Sequence, residues 1–350
     1  EAETSESGVS GDGWKSYGRD CCSLARKLLL SGDNRNIERI EVYMETGILL
    51  ESGTNELEIL EFRVGKNYYG INVAKIREIL PYQKPTPIPN ADARIEGIFM
   101  PRDEVISIVD LSTVMNIPKA ASTAGDMYIV TNFNKLNTAF HVQGVEGIHR
   151  VSWEDIIEPD STINASGMGM ATGIIRIGEK LIIILDFEKI VAQINPETGL
   201  KVSDIDHMSG RTRVDSPILI AEDSQLLGKM LLDCLKRAGF NNVDITANGK
   251  ECWDKLTAYE QKGVLDEKVA CVITDIEMPQ MDGHHLIKKI RETEGLKQIP
   301  IVIFSSLIND DMKRKGDLLG ADAQISKPEI GQLVGILDSL VASQIYGTNK

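Results

Sequence analysis

The residues of this chain best suited to chemistry are polar side chains that directly follow short apolar segments in its C-terminal half. They are Glu222, Asp223, Asp275, Ser305, Ser306 and Lys327. Carboxylates that converge in one pocket repel each other, so such a pocket is stable when a hard divalent cation such as Mg²⁺ binds there. Once the cation and a lysine ammonium neutralise the oxygens of a phosphoryl group, a carboxylate can attack the phosphorus and become an acyl phosphate. The residue types therefore indicate a magnesium-dependent phosphorylation site.

The apolar segments before these residues alternate with amphipathic helical patterns. Five of them have the length of buried strands: Ile218–Ala221, Val243–Thr246, Cys271–Thr274, Ile301–Phe304 and Ala323–Ser326. This alternation predicts an α/β domain with a parallel sheet covered by helices on both faces. Because the carboxyl ends of parallel strands meet at one edge, the polar residues are expected to converge. The alternative is that they are ordinary strand-end residues that cap helices and face water.

The preceding half predicts a different architecture, with short β-segments separated by turns. These segments are Glu58–Val64, Tyr68–Asn72, Arg94–Phe99, Glu104–Asp110, Met127–Thr131, Asn137–His141, Gly144–Val151, Ala171–Ile177 and Lys180–Asp186. Their alternation and spacing predict an antiparallel barrel or sandwich. Helical turns are expected only at Val73–Ile79, Leu111–Met115 and Phe187–Gln193. No catalytic constellation is visible here, and His141 and His149 lack the ligand spacing of a metal site.

The length of 350 residues exceeds what one hydrophobic core usually organises. Residues 196–216 are polar, contain Pro and Gly and lack an apolar period, which predicts a linker between domains at 44–195 and 217–345. Residues 1–43 carry Ser, Gly, Asp and Glu without sustained periodicity and predict a poorly ordered head. The position of Met44, just before the first clear pattern, leaves open that this head is not native sequence.

The composition argues against several classes of function. A net charge of -14 disfavours nucleic acid as a partner, because phosphate backbones are bound by clustered Lys and Arg. No apolar run approaches the roughly 20 residues that span a bilayer, so membrane insertion is not expected. No basic segment leads into an apolar one near residue 1, which favours a cytoplasmic location. The cysteines, an odd number without paired spacing, are interpreted as reduced and mostly buried thiols.

Four features of the C-terminal half recur together in one known family. They are Glu222-Asp223, the run Asp275-Ile-Glu-Met-Pro-Gln-Met-Asp-Gly283, Ser305, and Lys327-Pro328. By these motifs the half resembles the response-regulator receiver domain, which implies a flavodoxin-like (βα)5 fold. Gln324, three residues before Lys327, stands where many receivers carry a Tyr or Phe that switches conformation.

The resemblance to receivers also implies a role for each residue of the motifs. Asp275 is expected to accept the phosphoryl group. The Mg²⁺ ligands are expected to be Glu222, Asp223, Asp275 and the main-chain carbonyl of Glu277. Ser305 and Lys327 are expected to bind the phosphoryl oxygens.

The β-rich half carries motifs at 71–79 (INVAKIREI), 95–102 (IEGIFMPR), 105–110 (VISIVD) and 181–186 (LIIILD). In this order they resemble the CheW-like coupling domain, a pair of small intertwined β-barrels. The family often has Asn-Leu-Arg-Gly where this chain has Met100-Pro-Arg-Asp103, so the Arg is kept and its neighbours are not. Matched by position, Ile76, Glu78 and Arg102 are candidates for contacts with a receptor or kinase. The alternative is that they serve strand register and the domain surface.

The two halves in this order resemble the CheV family of chemotaxis adaptors. The resemblance implies an adaptor, not an enzyme, that couples methyl-accepting chemotaxis receptors to the CheA histidine kinase. Phosphorylation of Asp275 by that kinase is expected to modulate the coupling. The implied location is the cytoplasm, with recruitment to receptor arrays at the membrane.

Other functions stay open at this point. The receiver could act as a phosphate sink that drains the kinase, or it could gate an unrecognised enzymatic activity of the β-rich half. A DNA-binding response regulator would require a basic helix-turn-helix, and neither half carries one.

Overall fold

The computed structural model describes residues 53–119, 122–134, 136–157, 159, 169–195 and 214–347. The predicted head at 1–43 and the predicted linker up to residue 213 lie outside the described residues. Among the helices within these ranges, none combines the length and the apolar character needed to cross a membrane.

The first domain is built from two five-stranded sheets. Its strands are β1 (Glu56–Val64), β2 (Asn67–Asn72), β3 (Ile76–Pro81), β4 (Ile95–Phe99), β5 (Ile106–Asp110), β6 (Met127–Phe133), β7 (Leu136–Val142), β8 (Val145–Ser152), β9 (Ala171–Ile177) and β10 (Lys180–Leu185). The strand orders are β8-β1-β2-β10-β9 and β3-β6-β7-β5-β4. Neighbours are antiparallel except β2 with β10 and β5 with β7, which are parallel. The predicted β-rich double barrel is confirmed, and the expectation of an antiparallel fold is wrong at these two pairs.

The described residues of the first domain include two short helices, α1 (Leu111–Val114) and α2 (Phe187–Ile194), which pack against its core. The helix α2 begins at Asp186, whose carboxylate accepts a hydrogen bond from the Lys189 amide at 2.9 Å. Phe187 is fully buried and lies edge-on to Phe140, with ring centroids 4.4 Å apart. This packing fixes the first turn of α2, and therefore the position of the next residue, Glu188.

The helix predicted at Val73–Ile79 is wrong. Residues Val73–Lys75 form one 3₁₀ turn, and Ile76–Pro81 is the strand β3, paired with β6. The pairing register shifts between Ile76 and Glu78, so a bulge interrupts the alternation of inward and outward side chains. Buried residues at 76 and 79 thus acquire a helical spacing although the backbone is extended.

The second domain is a parallel sheet with the strand order β12-β11-β13-β14-β15. Its strands are β11 (Ile218–Ala221), β12 (Val243–Thr246), β13 (Cys271–Thr274), β14 (Ile301–Ser305) and β15 (Ala323–Ser326). Its helices are α3 (Gln225–Arg237), α4 (Gly249–Gln261), α5 (Leu265–Lys268), α6 (Gly283–Glu292), α7 (Asp310–Leu319) and α8 (Ile330–Gly347). The predicted α/β fold with a (βα)5 order of strands is confirmed, because every neighbouring pair of these strands is parallel.

Each face of the parallel sheet covers a separate core. One face packs Ile218, Ile220 and Ile273 against α3 and α8. The opposite face packs Leu219 and Val272 against α4 and α6. Because both faces are buried, the strands β11, β13 and β14 are apolar at nearly every position, and the charged residues of the site follow the strand ends.

Candidate functional site

Charged side chains from three strand ends meet at the carboxyl edge of the parallel sheet. Glu222 and Asp223 follow β11, Asp275 follows β13, and Lys327 follows β15. The Nζ atom of Lys327 lies 2.8 Å from Oδ2 of Asp275 and 3.0 Å from Oε2 of Glu222. One oxygen from each of Glu222, Asp223 and Asp275 lies within 4.8 Å of the other two. These three carboxylates are called the acidic cluster below.

Burial disfavours the ionised forms of the carboxylates in this cluster. Burial raises the pKa of Asp223 well above its ordinary value, and the neighbouring charges of Glu222 and Asp275 raise it further. The pKa of Glu222 is raised mainly by burial, while Lys327 opposes that rise. Burial lowers the pKa of Lys327, but the adjacent Asp275 and Glu222 outweigh it and the net shift is upward. A single buried ammonium therefore leaves negative charge in the cluster uncompensated.

The acidic cluster fits a divalent cation. Carboxylate oxygens are the ligands that Mg²⁺ prefers, and three of them lie close enough to share one ion. The raised pKa values of Glu222 and Asp223 mean that their ionised forms are disfavoured in the protein alone. A cation bound between them would favour the ionised forms.

The backbone around Asp275 leaves little freedom for its side chain. The Oδ1 atom of Asp275 accepts a hydrogen bond from the Ile276 amide at 2.6 Å. A Cβ atom built on Gly283 would lie only 1.9 Å from the Asp275 carbonyl oxygen, so a residue without a side chain is required there. Asp282 caps α6 by accepting from the His285 amide at 2.7 Å, and burial raises the pKa of Asp282 to about 6.

Ser305 and Lys327 sit at the ends of adjacent strands. Ser305 is fully buried at the end of β14, and its hydroxyl oxygen accepts from the Leu307 amide at 3.3 Å. The Lys327 amide donates to the Ser305 carbonyl at 3.1 Å. Ser305 ends β14, which pairs with the strand before Asp275, and Lys327 follows the next strand, β15.

Known chemotaxis proteins resemble this chain over most of its length. Residues 58–195 match the family model of the CheW-like domain, and residues 218–338 match that of the response regulator receiver domain. Chemotaxis protein CheV3 of Helicobacter pylori is 30% identical over 287 residues, which cover 78% of this chain and 91% of that protein. This chain belongs to the CheV family.

Other relatives agree with this membership. CheV2 of Helicobacter pylori is 30% identical over 298 residues, which cover 79% of this chain and 92% of that protein. CheW of Treponema pallidum is 30% identical over 139 residues, which cover 39% of this chain and 82% of that protein. As a CheV protein, the chain is a chemotaxis adaptor with a phosphorylatable receiver domain.

The structure places the three predicted partner-binding residues of the CheW-like domain close together, with different exposure. Ile76 is 9% exposed and Glu78 is 4% exposed. The guanidinium of Arg102 lies on the surface, with its Nη2 atom 3.5 Å from Oε2 of Glu78. Arg102 has a φ of 51°, in the left-handed region. Of the three, Arg102 is the one that presents its side chain to solvent, and the contact role of all three stays a prediction.

The two histidines of this domain are paired with carboxylates. His141 lies between Glu96 and Asp126, with its Nδ1 and Nε2 atoms 2.8 Å and 3.0 Å from their oxygens. The Nε2 atom of His149 lies 2.7 Å from Oε2 of Glu61. Within the described residues, a cluster of possible metal ligands is found only at Glu222, Asp223 and Asp275. Each histidine is therefore hydrogen-bonded to carboxylates of its own domain, of which Asp126 and Glu61 are buried.

Gln324, at the position where the resemblance to receivers predicts an aromatic residue, is hydrogen-bonded to the neighbouring helix. Its Nε2 atom donates to the Lys313 carbonyl at 2.6 Å and to Oδ1 of Asp317 at 2.7 Å. Both partners belong to α7. A side chain with these two bonds is anchored in place, which differs from the behaviour expected of an aromatic switch.

Sequence reasoning missed a set of polar contacts between the two domains. Lys75 of the CheW-like domain lies 2.7 Å from Oε2 of Glu277 in the receiver and 2.9 Å from Oε1 of Glu188 in its own domain. The hydroxyl of Ser306 donates to Glu188, and the side-chain amide of Asn72 donates to Glu277 at 2.7 Å. Thus the side chain of Glu277 contacts the CheW-like domain, while the role of its main-chain carbonyl in binding Mg²⁺ stays a prediction. The sequence offers one signal, Lys75, a cation at the centre of the motif at 71–79.

Proposed function

We propose that this CheV protein links chemoreceptors to the CheA histidine kinase and that phosphorylation of Asp275 modulates this link. The observation that carries the proposal is the buried arrangement of Asp275, Glu222, Asp223 and Lys327 in a receiver joined to a CheW-like domain. In this account, the chain accepts a phosphoryl group on its own side chain and turns over no separate substrate.

The proposed reaction is a phosphoryl transfer from a phosphohistidine of the kinase to Asp275. A carboxylate oxygen of Asp275 forms a bond to phosphorus while the P–N bond of the donor breaks. The electron pair of that bond stays on the imidazole nitrogen, which then takes up a proton. The ammonium of Lys327, now 2.8 Å from the Asp275 carboxylate, follows the developing charge onto the phosphoryl oxygens.

The other residues of the site hold the phosphoryl group. Ser305 supplies a hydroxyl donor from the end of β14. Glu222, Asp223 and Asp275, with the main-chain carbonyl of Glu277, would hold Mg²⁺. The bound ion would offset the charge of the cluster and of the phosphoryl oxygens.

The CheW-like domain is proposed to supply the contacts with receptor and kinase. The exposed Arg102 and the left-handed turn that carries it are the first place to test these contacts. The protein would act at membrane receptor arrays while remaining in the cytoplasm.

Phosphotransfer from radiolabelled kinase to the full chain tests the assignment of Asp275. The wild type and an Asp233→Asn control, altered at an exposed position on α3, are expected to take up label equally in Mg²⁺. Asp275→Asn is expected to take up none, and EDTA is expected to abolish uptake by the wild type. Undiminished labelling of Asp275→Asn would contradict the assignment.

A further inference from the structure

The CheW-like domain contacts both loops that frame Asp275. The loop after β13 carries Glu277 and Gln280, and the loop after β14 carries Ser306. A cavity of about 270 Å³ lies between the domains and is lined by Asp275 and Lys327 on one side and by Lys75, Asp186 and Glu188 on the other. The site of modification therefore faces the partner domain within the same chain.

The first loop is held at its backbone by Asn55, a residue that precedes β1. The side-chain amide of Asn55 donates to the Gln280 carbonyl at 2.9 Å, and its Oδ1 atom accepts from the Asp282 amide at 3.0 Å. The Gln280 amide donates to the carbonyl of Trp153 at 3.3 Å. These hydrogen bonds are made to main-chain groups of the loop, so they depend on the conformation of its backbone.

The second loop is held at Ser306. Its hydroxyl donates to Glu188, and its carbonyl accepts from the Asn134 amide at 3.1 Å. Lys75 joins this contact to the first loop, because it pairs with both Glu188 and Glu277. We call Lys75, Glu188, Glu277 and Ser306 the latch.

The charges of the latch suit the unmodified receiver. Burial would raise the pKa of Glu188, but Lys75, Lys327 and the Ser306 hydroxyl together hold it below the ordinary value. Glu188 is thus ionised and is attracted to Lys327, the same lysine that pairs with Asp275. In the unphosphorylated state, the ammonium of Lys327 therefore attracts both Asp275 of the receiver and Glu188 of the CheW-like domain.

Phosphorylation changes both terms of this balance. An acyl phosphate adds about one negative charge to the carboxylate it replaces, and Lys327 turns to the phosphoryl oxygens. Glu188 and Asp186 then face a more negative site across the same cavity. A turn of Ser305 towards the phosphoryl group would also pull on the next residue, Ser306, which is hydrogen-bonded to Glu188 and Asn134.

We propose that the CheW-like domain docks on the unphosphorylated receiver through the latch, and that phosphorylation of Asp275 opens this interface. The proposal rests on the function proposed above for Asp275. It gives the chain an internal route from the receiver to the coupling domain that does not require an aromatic residue at position 324. The opened face around Lys75 and Glu188 would become accessible only in the phosphorylated state.

Residue-resolved hydrogen exchange of the full chain tests the proposal. Among the described residues, three backbone amides donate hydrogen bonds across the interface, those of Asn134, Gln280 and Asp282. Mg²⁺ with beryllofluoride, which mimics a phosphoryl group on a carboxylate, is expected to accelerate exchange at these amides by about tenfold or more. The Val272 amide, bonded within the receiver to Pro300, serves as the internal reference and is expected not to change.

Variants of the latch separate its charge from its general stability. Lys75→Met removes the cation that pairs with both Glu188 and Glu277, and it is expected to raise exchange at the three amides about tenfold or more without beryllofluoride. Glu188→Gln keeps a hydrogen-bond acceptor for Ser306 but removes the charge, and it is expected to reduce the response to beryllofluoride. Lys255→Met, which breaks a surface pair with Asp244 inside the receiver, is the matched control and is expected to behave as the wild type.

The outcomes distinguish the two proposals. If beryllofluoride slows exchange around Asp275 but leaves the three interface amides unchanged, the latch is refuted and the phosphorylation site stands. If beryllofluoride changes nothing and Asp275 accepts no label from the kinase, both proposals fail. If Lys75→Met matches Lys255→Met at all three amides, the latch does not hold the domains together.

Discussion

Lys327 offers the sharpest test of the electrostatics at the acidic cluster. Its ammonium lies 2.8 Å from Asp275 and 3.0 Å from Glu222, and all three side chains are less than 9% exposed. Lys327→Met retains most of the side-chain volume but leaves the acidic cluster, in which Glu222 and Asp275 are buried and Asp223 is half-buried, without its cation. Removal of one partner from a buried ion pair costs about 3–5 kcal/mol, and the free energy of unfolding of the receiver is expected to fall by that amount.

The assay is urea denaturation of the full chain at pH 8 in EDTA. The alkaline pH matters because Glu222 and Asp223 have raised pKa values and would otherwise escape repulsion by binding protons. Repetition in millimolar Mg²⁺ is expected to recover a large part of the loss, since the cation replaces the missing positive charge and binds only the folded state.

Lys255→Met is the control for this experiment. The Lys255 ammonium lies 2.6 Å from Asp244, but both side chains are well exposed, so its loss is expected to change stability by less than about 1 kcal/mol. Equal stability of Lys327→Met and Lys255→Met in EDTA would refute the reasoning. So would a loss in Lys327→Met that Mg²⁺ does not reduce.

Three further predictions concern the rest of the chain. The pKa of His141 is raised because its hydrogen bonds to Glu96 and Asp126 outweigh the effect of burial. The stabilisation that protonated His141 provides is therefore complete below about pH 6.5 and is lost as the pH rises through the pKa of the folded state. Urea titrations from pH 5.5 to 8.5 are expected to show this decline in the wild type and a flatter profile in His141→Asn. Gly283→Ala forces a methyl group against the Asp275 carbonyl and is expected to destabilise the receiver by about 3 kcal/mol, measured by thermal unfolding; unchanged unfolding would contradict the close approach. Addition of EDTA to the Mg²⁺-loaded wild type is expected to lower its melting temperature more at pH 8 than at pH 5.5, because protons compete with the cation at the acidic cluster; equal shifts at both pH values would argue against the cluster as the metal site.

The fold of the receiver was largely predictable from its sequence because burial on both faces of the sheet determines which residue types its strands contain. Strands buried on both faces appear as short runs of β-branched residues, and the polar residues that end them can only lie at the edge of the sheet. The strand β13 and the site residue Asp275 that follows it are the clearest example. The same logic failed at Val73–Ile79, where a bulge in β3 gave a strand the spacing of a helix.

The contacts between the domains were outside the reach of pattern reasoning. Asn55, Lys75 and Glu188 are single polar residues on separate elements, and no period or motif connects them to the receiver. Their partners include backbone groups of Gln280 and Ser306, which have no sequence signature at all. Such contacts follow from the relative placement of two folded domains, and that placement is a three-dimensional property.

The most direct test of the central claim is co-sedimentation of the full chain with receptor fragments and the CheA kinase, before and after phosphorylation in Mg²⁺. The account predicts that the wild type pellets with the receptor–kinase assembly and that the amount changes on phosphorylation. Asp275→Ala is expected to pellet to the same extent in both conditions. Failure of the wild type to pellet in either state would contradict the role as a coupling adaptor, and a change that persists in Asp275→Ala would contradict control through Asp275.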